Sequence, residues 1–199
     1  MKKLAISLML TLGLIVTAQA ADMAAGKKLA GVCAACHGKD GNSAAATFPK
    51  LAGLGETYLF KQLKDFKSGD RANAIMAGQV AALNEKQMAD LAAYFAAQTR
   101  TVGYAAKDQV ALGEKTYRAG NKATGVPACM ACHAIDGSGI AAAGFPALGG
   151  QHGAYIKSQL MAFQEDKRTN DASKVMRDIA GRMSNKEIKA VSAYIQGLH

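Results

Sequence analysis

Two similar stretches decide how this chain folds: CAACHGKDGNSAAATFPKLAG, residues 33–53, and CMACHAIDGSGIAAAGFPALGG, residues 129–150. They contain all four cysteines, as two C-x-x-C pairs that are each followed directly by a histidine. The chain matches itself well beyond them, at offsets of 96 to 100 residues, so that YLFKQLKDFKSGDRAN pairs with YIKSQLMAFQEDKRTN and LNEKQMADLAAYFAAQ pairs with MSNKEIKAVSAYIQGL. Two copies indicate a duplicated domain rather than a solenoid.

Each copy predicts helices and no convincing strand, so the expected fold class is all-α. An Ala/Lys-rich stretch precedes each cysteine pair, and apolar residues at helical spacing follow each F-P-x-L segment. The last helix of each copy begins with a capping-box pattern, Asn84 with Gln87 and Ser184 with Glu187. Residues 99–108 are the expected linker between the copies.

The N-terminus has the pattern of a secretory signal peptide. Lys2 and Lys3 precede an apolar run from Leu4 to Val16, and the small-residue segment 18–20 follows. The run is short for a membrane span, although an uncleaved anchor is the alternative. We therefore expect residues 1–20 to be removed, the protein to be periplasmic, and the mature chain to consist of domains 21–103 and 104–199.

Both halves are mildly basic. Residues 21–100 carry ten basic and seven acidic side chains, and residues 101–199 carry twelve and eight, so their formal charges are +3 and +4. Nucleic-acid binding normally requires a denser basic patch, and we expect no such partner. A diffuse positive charge is compatible with docking to an acidic redox protein or with peripheral contact with an anionic membrane. It is equally compatible with an ordinary solvated surface.

The paired cysteines have four candidate roles. A disulfide framework would have cysteines at diverse spacings, and a thioredoxin-like pair would need a βαβ unit. A zinc site would lack a fourth ligand within each half. C-x-x-C-H favours covalent haem attachment, in which the thiols of Cys33 and Cys36, and of Cys129 and Cys132, add to haem vinyl groups. Two haems would also supply the buried apolar surface that aromatic-poor halves lack.

The axial iron ligands can be sorted by the repeat. His37 and His133 follow the cysteine pairs directly and are the predicted proximal ligands. Met76 aligns with Met176, and no other methionine pair is in register. We therefore predict these methionines as the opposite ligands, in preference to the unpaired His152 and His199.

Two prolines are candidates for supporting the histidines. Pro49 and Pro146 follow His37 and His133 by 12 and 13 residues. A proline carbonyl can accept a hydrogen bond from the ring N–H of a ligating histidine and fix its tautomer. A rigid turn is a second, compatible reason for proline there. Gln151 and His152 could lie near the domain interface or a haem propionate, and the remaining Tyr, Lys and Gln residues are expected to be packing or surface positions.

With these motifs in place, the chain resembles the dihaem cytochromes c4. The resemblance rests on CAACH, CMACH, the two F-P-x-L-x-G segments, the terminal SAYIQGLH and the matched methionines, and it covers essentially the whole mature chain. It implies two cytochrome c domains related by a pseudo-twofold axis, each wrapped around one covalent haem c. In that family the haems lie near the interface, with propionates facing each other.

The resemblance also implies a function. Cytochromes c4 are periplasmic one-electron carriers, often between a quinol-oxidising bc-type complex and a haem–copper terminal oxidase, and we expect a monomeric carrier rather than an enzyme. Some members have one acidic and one basic domain, a pattern that this chain lacks. The alternatives are the cytochrome subunit of a periplasmic dehydrogenase and a dihaem peroxidase, which would need an open iron site and acid–base groups above it.

Overall fold

The chain folds into two sets of helices in the same order. A computed structural model describes residues 20–199, and the expected signal peptide, apart from Ala20, lies outside them. The described residues form ten α-helices: α1 (Met23–Leu29), α2 (Ala34–His37), α3 (Glu56–Ser68), α4 (Ala74–Val80), α5 (Glu85–Ala96), α6 (Lys107–Ala119), α7 (Met130–His133), α8 (Gly153–Gln164), α9 (Val175–Gly181) and α10 (Asn185–Gln196). In this part of the chain, strand-like pairing is limited to two isolated bridges, Asn121 with Val126 and Ile140 with Phe145. The all-α prediction is confirmed.

Helices α1 to α5 build the N-terminal half, and α6 to α10 repeat them in the C-terminal half. The first helix of each half packs against the last, α1 on α5 and α6 on α10. Helices α3 and α8 pack against the same last helices, and they also contact the short helices α4 and α9. The two halves therefore repeat the same pattern of helix packing.

The last helices begin as the sequence predicts. The Asn84 side chain accepts from the Gln87 backbone N–H at 2.9 Å, and the Gln87 side chain accepts from the Asn84 N–H at 2.9 Å. Ser184 and Glu187 make the same reciprocal pair. Both capping boxes are thus present, and Leu91 and Val191 are buried in the helices that follow them.

The segment that connects the two halves makes hydrogen bonds to both of them. Residues 99–106 contain no helix, and α6 already begins at Lys107, so the last two residues of the expected linker belong to a helix. Arg100 donates to Ala52 of the N-terminal half and to Gly149 of the C-terminal half, and Thr101 donates to Asn42. No helix within residues 20–199 is long and apolar enough to span a membrane.

Each first helix crosses its last helix at a glycine. A methyl group at Gly26 would lie 2.0 Å from the Asp90 carbonyl oxygen, and one at Gly113 would lie 2.4 Å from the Ala190 carbonyl oxygen. Asp90 and Ala190 are equivalent in the repeat, so the two crossings use the same device. Only a residue without a side chain allows this approach of the two backbones.

We predict that Gly113→Ala destabilises the protein by about 1–3 kcal/mol, because overpacking forces α6 away from α10. Thermal unfolding followed by circular dichroism measures the change. Gly181→Ala is the matched control, since a methyl group there meets nothing within 4 Å. A Gly113→Ala protein as stable as the control would contradict the close crossing.

Candidate haem-binding sites and the interface between the halves

Each C-x-x-C-H segment forms a single helical turn, α2 or α7. The His37 backbone N–H donates to the Cys33 carbonyl at 2.9 Å, and His133 donates to the Cys129 carbonyl at 3.0 Å. All four cysteines are half-buried, and none of them is joined to another in a disulfide. Cys33 and Cys129 pack against the apolar cores of their halves. The turn therefore brings two thiols and one imidazole together beside apolar side chains.

The imidazole rings are held by the predicted prolines. Nδ1 of His37 lies 2.8 Å from the Pro49 carbonyl oxygen, and Nδ1 of His133 lies 2.9 Å from that of Pro146. Because a carbonyl oxygen only accepts, Nδ1 must carry the proton and donate. The lone pair of the neutral ring is then on Nε2, which receives no hydrogen bond from any residue between 20 and 199.

Both rings are kept neutral by their surroundings. His37 is 7% exposed and His133 is 8% exposed. Burial lowers the pKa of each histidine, and the hydrogen bond to the proline carbonyl opposes this only in part. Phe48 and Phe145 stand edge-on to the two rings at a centroid distance of 6.3 Å. A neutral imidazole with a free Nε2 is the form that binds a metal ion.

The donor set fits covalent haem better than the other candidate roles. Burial raises the pKa of the Cys33 thiol, and it raises the pKa of Cys129 to about 11, which reflects apolar surroundings. Within residues 20–199, no group of three or more His, Cys, Asp and Glu side chains converges on one point, whereas structural zinc sites use four such ligands. Two thiols, a free imidazole nitrogen and an apolar wall suit a flat macrocycle attached through its edge.

The structure places the two matched methionines in equivalent helices. Met76 lies in α4 and Met176 lies in α9, and both side chains are half-buried. The two helices start differently. Asn73 caps α4 by accepting from the Met76 N–H at 2.9 Å, whereas Ser173 and Lys174 precede α9 with φ angles of 52° and 59°. Their role as iron ligands stays a prediction.

His152 and Gln151 lie at the interface between the halves. The Nε2–H of His152 donates to the Ser43 carbonyl at 2.9 Å. The Gln151 side chain pairs with both backbone groups of Lys50, at 2.9 and 2.8 Å. His199 is exposed, with Nδ1 3.0 Å from the Gly197 carbonyl oxygen. The unpaired histidine of the GGQH segment thus joins the two halves.

A polar cluster at the interface corrects the sequence-based expectation that the remaining Tyr, Lys and Gln residues are packing or surface positions. Arg71 donates to Tyr155 at 2.9 Å and to Gln159 at 2.7 Å, across the interface. Arg168 makes the mirror-image contacts, to Tyr58 and Gln62, each at 3.1 Å. We call these six residues the Arg–Tyr–Gln cluster. The signal was available, because each pair is in register at an offset of 97.

The cluster fixes the position of one half against the other. Each guanidinium also stacks on a phenylalanine of its own half, Arg71 on Phe66 at 4.6 Å and Arg168 on Phe163 at 4.5 Å. Burial alone would raise the pKa of Tyr58, but the charges of Arg168 and Arg71 lower it. Hydrogen bonds from a charged donor contribute about 1.5–3 kcal/mol each, so the buried cluster resists separation of the halves.

Comparison with known proteins agrees with this architecture. The family model for cytochrome c matches residues 23–98 and 110–199. Cytochrome c4 of Pseudomonas aeruginosa is 55% identical, and the alignment covers 100% of both chains. The crystal structure of reduced recombinant cytochrome c4 from Pseudomonas stutzeri superposes with a TM-score of 0.88 at 49% identity, covering 90% of this chain and 100% of that one.

A second group of relatives has a different name. The thiosulfate dehydrogenase electron acceptor of Thiomonas intermedia is 37% identical over 93% of this chain and 87% of its own length. Full-length identity, two matched cytochrome c segments and a superposed c4 structure all lead to one assignment: the chain belongs to the cytochrome c4 family, as a dihaem electron carrier with two covalently bound haem c groups.

Proposed function

We propose that this protein carries single electrons in the periplasm, between a quinol-oxidising bc-type complex and a terminal oxidase or another periplasmic redox protein. The supporting observation is that both halves present the same candidate pair of axial ligands in register, His37 with Met76 and His133 with Met176. When bound, each haem supplies one-electron exchange between Fe(III) and Fe(II). Two equivalent, closed sites suit a carrier, because no substrate has to reach the iron.

The protein's own residues have four tasks in this proposal. The cysteines attach each haem at one edge. The proline carbonyl oxygens lie 2.8 and 2.9 Å from Nδ1 of the histidines. They orient the rings and keep Nε2 available. Met76 and Met176 would supply thioether ligands to the iron, which would raise the reduction potential and favour the ferrous state. The apolar core beside Cys33 and Cys129 keeps water from the haem.

Export and the domain boundary belong to the same proposal. Residues 1–20 act as a signal peptide, and the mature chain starts at Ala21. The boundary between positions 103 and 104 falls in the helix-free segment that separates α5, ending at Ala96, from α6, starting at Lys107. The mass of the protein recovered from the periplasm should correspond to residues 21–199 with two haems attached. A chain that keeps residues 1–20 would contradict the cleavage.

We predict that Met76→Ala and Met176→Ala each abolish half of the weak long-wavelength absorption band of the ferric protein, because that band reports methionine–iron ligation. The reduction potential of the altered site should also fall. Met161→Leu is the control. Met161 aligns with Lys64 and is therefore not a predicted ligand, and leucine has a side-chain volume similar to that of methionine. A band that survives either alanine substitution at full intensity would reject that methionine as a ligand.

We predict that Cys33→Ala/Cys36→Ala and Cys129→Ala/Cys132→Ala proteins each retain one covalent haem, and that the quadruple variant retains none. Each pair supplies both thioether bonds of its own half. The measurement is the haem-to-protein ratio after acid–acetone extraction of loosely held haem. A ratio of two in either double variant would exclude the missing pair as the attachment site.

A permanent dehydrogenase partner is the second candidate function. The observation that favours it is the 37% identity to a thiosulfate dehydrogenase electron acceptor. Size-exclusion chromatography of the native periplasmic protein distinguishes the two: a carrier elutes as a monomer, and a subunit elutes in a stoichiometric complex. A peroxidase would turn over hydrogen peroxide, and we expect no turnover while both methionines close the iron sites.

A further inference from the structure

Two cations lie close together between the halves, Lys50, which is buried, and Arg100, which is half-buried with one terminal nitrogen shielded from solvent. Lys50 is 6% exposed, and its Nζ donates two hydrogen bonds. Arg100 donates three, from Nε and one terminal nitrogen. All five bonds are 2.5 to 3.2 Å long and end on backbone carbonyls: Thr101 and Gly150 for Lys50, and Ala52, Ala147 and Gly149 for Arg100.

Among the described residues, Lys50 and Arg100 have no negatively charged partner. Within residues 20–199, no carboxylate forms an ion pair with Lys50 or Arg100, and the second terminal nitrogen of Arg100 is buried without a hydrogen-bond partner. Burial lowers the pKa of Arg100 to about 10. Burial and the nearby charge of Arg100 both lower the pKa of Lys50. Two buried like charges are costly unless an anion compensates them.

The position of the pair indicates the source of that anion. Lys50 directly follows Pro49, whose carbonyl holds the His37 ring, and Arg100 bonds to Ala147, which directly follows Pro146. Successive Cα atoms are only about 3.8 Å apart, so the cations abut the histidine-supporting loops of both halves. The other interface cations, Arg71 and Arg168, already have several side-chain acceptors each.

We propose that Lys50 and Arg100 together bind the carboxylate of a haem propionate between the two halves. Three N–H groups remain for it, two on the unpartnered nitrogen of Arg100 and one on Nζ of Lys50. A carboxylate accepts several hydrogen bonds, and charge-assisted bonds to it are short and strong. Lys50 aligns with Ala147, so the site exists once in the molecule and serves the haems unequally. The proposal rests on the two haems and not on the identity of any redox partner.

The consequence is electrostatic. A cation that neutralises a propionate removes negative charge from the neighbourhood of the iron and thereby disfavours Fe(III). The paired cations should therefore raise the reduction potential of the haem whose carboxylate they bind. This makes Lys50 and Arg100 positioning residues that act through the propionate.

The test uses the dihaem protein with Arg100→Gln, Lys50→Gln and Arg100→Lys substitutions. Arg182→Gln is the matched control, because Arg182 is exposed and also donates to a carbonyl, that of Gly125, at 3.1 Å. Redox titration measures the potentials, and resonance Raman spectra report the propionate bending bands. We expect both glutamine variants to lower at least one potential and shift a propionate band, beyond any change in the control. Arg100→Lys keeps the charge and should keep the potential near that of the unmodified protein.

Two outcomes overturn the proposal. The first is that the reduction potentials and propionate bands shift no more in the Arg100→Gln and Lys50→Gln proteins than in the control. That result excludes a contact between these cations and a propionate. The site binds a free anion instead if added chloride or phosphate changes the reduction potential of the unmodified protein but not that of Arg100→Gln. In that case the propionate bands are the same in both proteins. Should Arg100→Gln fail to fold, Lys50→Gln decides, since it keeps every Arg100 bond and the backbone pair with Gln151. None of these readouts depends on methionine ligation or on a partner protein.

Discussion

The hydrogen bond from a buried histidine Nδ1 to a proline carbonyl is the constraint on which each half depends. It joins the cysteine turn to the F-P-x-L loop, 12 residues away for His37 and 13 for His133. The bond fixes the tautomer, leaves the lone pair on Nε2, and holds the ring in a pocket that keeps it neutral. In each half the first and last helices also cross closely at a glycine, Gly26 or Gly113.

The interface between the halves combines two kinds of contact. The Arg–Tyr–Gln cluster follows the repeat, so each half contributes the same donors and acceptors and the contacts form in mirror-image pairs. The bonds of His152 to Ser43, and of Gln151 to Lys50, have no repeated counterpart. The symmetric contacts suit a pseudo-twofold arrangement of two equal sites. The asymmetric ones are where a duplicated chain can make its two haems differ.

Positive charge is concentrated where the halves meet, and this has a bearing on electron transfer. Three cations are buried there, Lys50, Arg71 and Arg168, and Arg100 is half-buried beside them; Asp65 is a buried carboxylate bonded to Lys61 and Asn170. Burying charge is tolerated only when the surrounding groups compensate it. In the arrangement proposed above, the carboxylate of a haem propionate supplies that compensation, and Lys50 and Arg100 would then both join the halves and act on the reduction potential.

The sequence by itself determined the duplication, the all-α class, both capping boxes, the cysteine turns and the bond from each histidine to its proline, because all of these follow from local spacing repeated in register. Only the tertiary structure decided which polar residues meet across the interface. Tyr58, Gln62 and Lys50 look like ordinary surface residues in the sequence, since nothing local reveals a partner about 100 positions away. Burial depends on how the two halves pack, and that packing is set by contacts distant in sequence, which neither helical periodicity nor motif spacing encodes.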